Sequence, residues 1–406
     1  MLAILFLAIH LITHLTGQMG VQSKPNEATL MKHLFREYDR RARPKKDPLA
    51  PVNLAVRVIV NQILLVDEKK QIIETYVSYN MTWKDDFLTW SPANFSNLKR
   101  LVVPTNNLWV PKLIVINAGK DVSTNTNDDG FAAEVYSNGE VKLILATTAY
   151  TTCIFDLTLF PFDKQKCELK LGIFGHFCSE VNMSKYDNEL KFLWYTPHTE
   201  WAVEGSSLKE MAYKDGEGSY CTLDGTIFIR RKSLYLVNNV LIPCVLISFI
   251  SLASFGVPPE SGEKISLSMT TLLSYSVFLL VLSEMLPRNS DTGPILTYYI
   301  ISVMAITAIS LLCSVLVVRL HYGTSKPPKW IRLLVLNYIA KLCCQTTKKV
   351  SPSAKVNESM GESGQFEETW LKIGRTLDRF FAIIFFMIIM IVSLTLLVVI
   401  PAMNST

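Results

Sequence analysis

Hydrophobic positions along this chain follow two rhythms. Up to about residue 233 they alternate with polar ones in short runs, at Val52–Leu65, Gln71–Thr82, Glu140–Ala146, Cys167–Phe174 and Thr226–Arg231, with turn signals such as Asn138-Gly139 and Asp129-Gly130 between them. That cadence predicts a β-sandwich or barrel. Ahead of it, residues 29–42 set Leu30, Leu34 and Tyr38 on one helical face, which predicts a short opening helix ended before Pro44. Beyond residue 233 the apolar positions pool into four long runs, Leu234–Phe255, Ile265–Leu286, Ile295–Val318 and Phe380–Ile400. Each is about 20 residues long and nearly free of charge, as a membrane-spanning helix requires. Met1–Gly17 is a further uncharged apolar run ending in small and polar residues. It reads as a secretory signal, with an N-terminal anchor as the alternative.

Composition sharpens this picture. Of 406 residues 49% are hydrophobic and only 18% charged, with a mean hydropathy of +0.26. Soluble domains carry about 25% charged residues, so the deficit marks an integral membrane protein and excludes disordered, collagenous and small disulfide-scaffold classes. The net charge of +5 is too mild for a nucleic-acid binder, and much of the excess sits in one loop. Arg319 through Arg379 hold eleven Lys/Arg against five Asp/Glu, which places that loop in the cytoplasm. Four spans then leave both termini outside a multi-pass plasma-membrane protein. The glycosylation triplets at Asn80, Asn94 and Asn182 precede the first span and that at Asn404 follows the last; Asn357 falls inside and should stay bare. Within the loop, residues 327–341 read as an amphipathic helix on the inner leaflet, 345–364 as disordered, and 367–379 as a helix running into the fourth span.

The six histidines form no ligand cluster, and no H-E-x-x-H, phosphate-binding loop or nucleophile elbow is present. No enzyme activity, metal or cofactor is therefore expected. Four cysteines lie on the extracellular side, Cys153, Cys167, Cys178 and Cys221, and allow three pairings. Cys244, Cys313, Cys343 and Cys344 are expected to be free thiols. In the second span Glu263, Ser266, Thr270, Leu273, Val277, Leu280/Val281 and Glu284 step by three or four along one helical stripe. Acids stand at both ends, hydroxyls in the inner half and bulky apolar side chains in the middle. A lipid-facing helix would not line these up, and a single such helix encloses nothing, so the stripe predicts a pore built from several copies. Lys264 sits about 100° off it and reads as a snorkelling anchor.

Two stretches carry a resemblance. Cys153 and Cys167 enclose thirteen residues that include Phe160-Pro161-Phe162-Asp163, and the second span opens with Gly262-Glu263-Lys264-Ile265-Ser266-Leu267-Ser268. Together with Leu241-Ile-Pro-Cys-Val-Leu-Ile-Ser248, they resemble the Cys-loop family of pentameric ligand-gated ion channels, nearest its nicotinic acetylcholine receptor branch. The likeness runs from the opening helix to Phe381. It implies an extracellular all-β sandwich with a short N-terminal helix, a four-helix transmembrane domain and a short cytoplasmic helical segment. The implied layout is a signal over 1–18, the ligand-binding sandwich over 19–233, three helices over 234–318, the cytoplasmic loop over 319–379, the fourth helix over 380–401 and a tail over 402–406. A Cys153–Cys167 disulfide follows from the resemblance, as do four further subunits, a small-molecule ligand, surrounding lipid and monovalent cations in the pore. Anion-selective relatives carry Pro-Ala where this chain has Gly262-Glu263, which implies cation selectivity. Glu68 and Arg231 correspond to a pair at the domain junction, beside the Phe160–Phe162 loop and the linker bearing Pro294.

The implied agonist site departs from the family pattern. Tyr213 and Tyr220 keep the spacing of two capping-loop tyrosines, and Phe174 stands where Trp is usual. Ile116 replaces a Tyr, Lys112 an Asp, and Ser78 a Trp on the complementary face; Asp215-Gly216 replaces the adjacent cysteine pair. The resemblance therefore implies a wider, more apolar pocket, one that accepts a bulkier or less cationic ligand than acetylcholine. Cys178 and Cys221 either form a disulfide that tethers the capping loop or remain as thiols. The remaining alternatives are an accessory subunit of a heteropentamer and a non-conducting membrane receptor.

Overall fold

The computed structural model describes residues 27–119, 130–258, 261–286, 293–323, 325–342 and 362–395. The expected signal, Asp129, Cys343, Cys344, Asn357, most of the polar stretch after 345 and the C-terminal tail lie outside these residues. Among the described residues, ten strands build two sheets. The larger has the order β3-β5-β6-β2-β1-β8 and the smaller β4-β7-β10-β9. Their ranges are β1 Val52–Asp67, β2 Ile72–Thr89, β3 Arg100–Pro104, β4 Leu113–Val115, β5 Ala132–Tyr136, β6 Asn138–Thr152, β7 Lys164–Ile173, β8 Val181–Lys185, β9 Trp201–Asp215 and β10 Gly218–Arg231.

Strict alternation decides which side chains meet between the sheets. Along β2, Ile73, Val77, Tyr79, Met81 and Trp83 point inward and are buried, as are Leu54, Val56 and Val58 at every second position of β1. Asn138-Gly139 makes the tight return from β5 into β6. Gly139 has φ +84°, and a Cβ there would stand 2.4 Å from the Asp85 carbonyl oxygen, so both backbone shape and space require glycine.

The opening helix, Glu27–Leu34, buries Leu30 and Leu34 but is shorter than the expected 29–42. Tyr38 ends the pattern because it serves elsewhere: its hydroxyl donates to Asp85 at 2.7 Å and accepts from the Trp109 backbone N–H at 3.1 Å. Strand β9 escapes the hydrophobic pattern because only Trp201 and Leu208 along it are buried; it is held by its ladder with β10.

Among the described residues, four helices are long and apolar enough to span a membrane: Leu234–Gly256, Glu263–Met285, Ile295–His321 and Phe366–Leu394. The last belongs to one continuous helix from Glu362, whose inner part packs Trp370 and Ile373 against Val335 of the cytoplasmic helical segment at 329–342. Where water is absent, polar groups must satisfy one another. The Tyr275 hydroxyl lies 2.6 Å from Ser248 Oγ and donates to the Cys244 carbonyl at 2.9 Å. Ser248 also meets the Tyr299 hydroxyl at 3.3 Å, which reaches Ser393 at 3.4 Å. One hydroxyl chain thus joins all four spans.

The three extracellular glycosylation triplets are not equivalent. Asn94 and Asn182 are exposed, whereas Asn80 sits mid-strand in the centre of the larger sheet with its Oδ1 closed off from solvent. Deglycosylation in heavy-oxygen water followed by peptide mapping should label Asn94 and Asn182 and leave Asn80 unlabelled.

Candidate functional site

Three regions gather the residues singled out by sequence. The first is the base of the extracellular domain, where β10 delivers Arg231 to the start of the first span. Arg231 is only 6% exposed. Its Nε donates to Asp163 Oδ1 at 2.8 Å, and one terminal nitrogen reaches Asp163 Oδ2 at 3.2 Å and Glu68 at 2.8 Å. The guanidinium also lies 4.3 Å from the Trp201 ring centroid and 5.0 Å from that of Phe160. Burial works against its charge, but the two acids overcome this and hold its pKa above the ordinary value.

Asp163 belongs to the loop closed by the Cys153–Cys167 disulfide, so this one cation ties the β1–β2 turn, the disulfide loop and the pre-span strand together. Within the loop the Phe160–Pro161 peptide is cis, Phe160 is buried and Phe162 is half-buried. Gln165 stitches the loop by accepting from the Asp156 N–H at 2.9 Å and donating to Asp163 at 2.6 Å. Asp156 in turn accepts from the Thr158 N–H at 3.0 Å, which presents the Thr158 carbonyl to the membrane domain. That carbonyl accepts the Ile295 N–H at 3.0 Å, directly after Pro294 at the start of the third span. Sequence reasoning finds none of Gln165, Asp156 and Thr158, because their work is local hydrogen bonding without a spacing signature.

The second region lies on the smaller sheet. Ile116, Phe174, Tyr213 and Tyr220 are all exposed, Phe174 at 64%. Ile116 follows β4 and lies over Gly172 of β7, where a Cβ would stand 2.9 Å from its Cδ1. Tyr213 and Tyr220 face each other across the β9–β10 ladder. Tyr213 donates to Asp224 at 2.8 Å, and Lys170 lies close enough to act on both electrostatically. Three contacts fix the capping hairpin to the loop after β7: the Cys178–Cys221 disulfide, the Cys178 N–H to Ser219 carbonyl bond at 2.7 Å, and the Phe177–Tyr220 ring pair at 5.0 Å. Phe174 and Lys112 also line an open cleft of about 1570 Å³, together with Lys32, Arg40 and the Arg41–Asp39 ion pair. Ser78 is not brought here. It stands on β2 of the other sheet and donates to Asn61 at 2.8 Å, so only a second copy could place it against the tyrosines.

The third region is the second span. Glu263, Ser266, Thr270, Leu273, Val277, Leu280, Val281 and Glu284 are all exposed, Leu273 at 65%. Lys264, Ser268, Thr271, Tyr275 and Leu282 form the buried side. Lys264 departs from the snorkelling expectation: it is 1% exposed and paired with Asp378 of the last helix. The pairing is invisible in the sequence because the two residues lie 114 positions apart.

A β-sandwich whose final strand runs into four membrane spans, one of them bearing a polar stripe on its free side, defines a ligand-gated ion channel subunit. The chain belongs to the neurotransmitter-gated ion-channel family: residues 27–233 match its ligand binding domain and residues 240–367 its transmembrane region. It is 34% identical to the 5-hydroxytryptamine receptor 3A of Cavia porcellus over 346 residues, covering 81% of this chain and 68% of that receptor. Against the neuronal acetylcholine receptor subunit alpha-3 of Rattus norvegicus it is 31% identical over 326 residues, covering 79% and 65%. It is thus a plasma-membrane channel protein with an extracellular N-terminal domain, and not an enzyme.

Two outcomes follow from the junction. Arg231→Gln strands the Asp163 carboxylate, whose side chain is 1% exposed. A buried ion pair broken on one side costs about 3–5 kcal/mol, so the detergent-solubilised channel should melt at a clearly lower temperature. His198, beside this cluster, accepts the Glu200 and Trp201 N–H groups on Nδ1 at 3.1 and 3.2 Å. Burial holds its pKa below the ordinary imidazole value, with Glu200 and Glu68 pulling upward and Lys232 downward. The folded state then binds fewer protons than the unfolded one, so this contribution is complete above pH ~6.5 and is lost as pH falls through the window below it. His198→Asn should flatten the melting temperature between pH 7 and pH 5; an unchanged slope would assign the dependence elsewhere.

Proposed function

We propose that this chain is a subunit of a cation-selective pentameric channel, opened by a small molecule bound between subunits and not by acetylcholine acting in the usual aromatic box. The observation that carries this reading is the two-sidedness of the second span. Its buried side satisfies its own subunit, and its free side is the stripe from Glu263 to Glu284. Placing five such stripes around an axis gives an acidic inner ring, a hydroxyl-lined passage and a bulky constriction at Leu273 and Val277. At about 5 Å in bulk water each Glu263 carboxylate attracts a monovalent cation by about 0.8 kcal/mol, and five by about 4 before screening. The Leu273 and Val277 rings serve as the gate by excluding water when they close together.

The ligand site is assigned to Phe174, Tyr213, Tyr220 and Ile116 of one subunit, facing Ser78 of the next. Ring faces attract ammonium groups by about 0.5–2 kcal/mol each, and here Ile116 and Ser78 offer no ring. Lys32, Arg40 and Lys112 along the neighbouring cleft oppose a cation further, so the agonist is bulkier or less cationic than acetylcholine. Movement of the capping hairpin passes down β10 to Arg231 and through Glu68, Asp163 and the Phe160-Pro161-Phe162 tip to Pro294. The lack of a ring at Ser78 favours, as a second reading, an accessory subunit that contributes a weak binding face to a heteropentamer.

The test avoids the unknown agonist. Leu273→Ser expressed alone in oocytes should give a standing current whose reversal potential moves negative when a large organic cation replaces sodium. Adding Glu263→Gln should lower the current carried by cations severalfold. Surface channels with no current when expressed alone, and current on co-expression with a relative, would establish the accessory role instead.

A further inference from the structure

The open cleft beside Phe174 is built from three stretches of one chain: the end of the opening helix and the turn after it, the residues leading into β4, and those leaving β7. Its lining carries four side chains with a permanent positive charge, Lys32, Arg40, Arg41 and Lys112, against one acid, Asp39. Asp39 is committed to Arg41, accepting from Nε at 2.9 Å and from a terminal nitrogen at 2.8 Å. His176 likewise faces Glu180, at 3.1 Å. Arg40 donates to the Asn106 backbone carbonyl, which anchors its guanidinium without cancelling the charge. Among the described residues Lys32 and Lys112 belong to no ion pair. Three cations therefore stand uncompensated on one concave surface. Phe174 sets an apolar face beside them: its ring is exposed, and its N–H donates to the Lys112 carbonyl at 2.9 Å, so ring and ammonium rise from adjoining backbone. Cations gathered in a concavity focus a positive potential, and lysine and arginine donors match the oxygens of phosphate, sulfate and carboxylate groups.

We propose that this cleft is a binding site for an organic anion. Lys112, Lys32 and Arg40 hold its phosphate, sulfate or carboxylate group, and its apolar body lies on Phe174. Every residue of the site comes from one subunit, whereas the agonist site needs Ser78 of a second. The site is also remote from the second span, so it holds whether or not that span lines a pore.

Titration calorimetry on the full-length channel in detergent tests this, with phenyl phosphate, inorganic phosphate and benzyltrimethylammonium as probes. Phenyl phosphate should bind about tenfold more tightly than benzyltrimethylammonium, and weaken severalfold when sodium chloride is raised from about 50 to about 300 mM. Lys112→Asp should weaken phenyl phosphate about tenfold and the milder Lys112→Gln about threefold. Phe174→Ala should weaken phenyl phosphate and leave inorganic phosphate unchanged, which places ring and charge in one site. Tyr213→Ala, on the capping hairpin, should alter neither. Equal affinity for all three probes, or phenyl phosphate binding that survives both Lys112 variants, would overturn the proposal. A loss in Tyr213→Ala as large as that in Lys112→Asp would put the anion in the agonist site and overturn it as well. So would a parent that binds no phenyl phosphate while Lys112→Asp breaks the assembled channel into smaller species on size exclusion. That result would show acids of a neighbouring subunit already filling the cleft.

Discussion

A single buried guanidinium organises the meeting of the two domains. Arg231 ends the last strand of the sandwich, and the first span begins three residues later. Its position is over-determined by two carboxylates and two ring faces. Taking such a charge out of water is expensive, and the cost is offset only while every partner stays in place. The β1–β2 turn, the disulfide loop and the strand leading to the membrane are therefore constrained as one unit. A displacement of any of the three is felt by the others.

The same logic, without charge, governs the membrane domain. Tyr275 of the second span is held by Ser248 and the Cys244 carbonyl of the first, and Tyr299 links on to the fourth. Hydrophobic burial gives no preference between lipid and a neighbouring helix, so such directional bonds and close packing fix which side of each helix turns inward. The second span is thus oriented from behind. Its free side is what remains once Lys264 and Tyr275 have found their partners on the last and first helices.

Much of this architecture can be read from spacing alone. Alternation exposes the strands of the sandwich core, and apolar runs mark all four spans, because burial in both cases imposes a period or a length. Strand β9 is hidden because it gains its place from backbone pairing and not from burial. The opening helix reads too long because Tyr38 fits the helical face but its hydroxyl is committed to Asp85 and Trp109. At the sites, Glu68, Asp163 and Arg231 can be proposed from a motif, and the structure shows their contacts. Lys264 cannot be placed, since nothing within its own helix distinguishes a solvated lysine from one paired with a residue 114 positions away. Phe177, Asp224 and Gln165 escape notice for a related reason: their work is done by individual side-chain contacts, which leave no periodic trace.

The bond from the Ile295 N–H to the Thr158 carbonyl carries a consequence of its own. Both partners are main-chain atoms, so the link between the disulfide loop and the third span does not depend on which side chains stand there. Alanine scanning would pass over it without a signal. Only a change to the backbone itself, an ester in place of the amide at Ile295, would remove the donor and reveal how much of the mechanical connection runs through peptide groups.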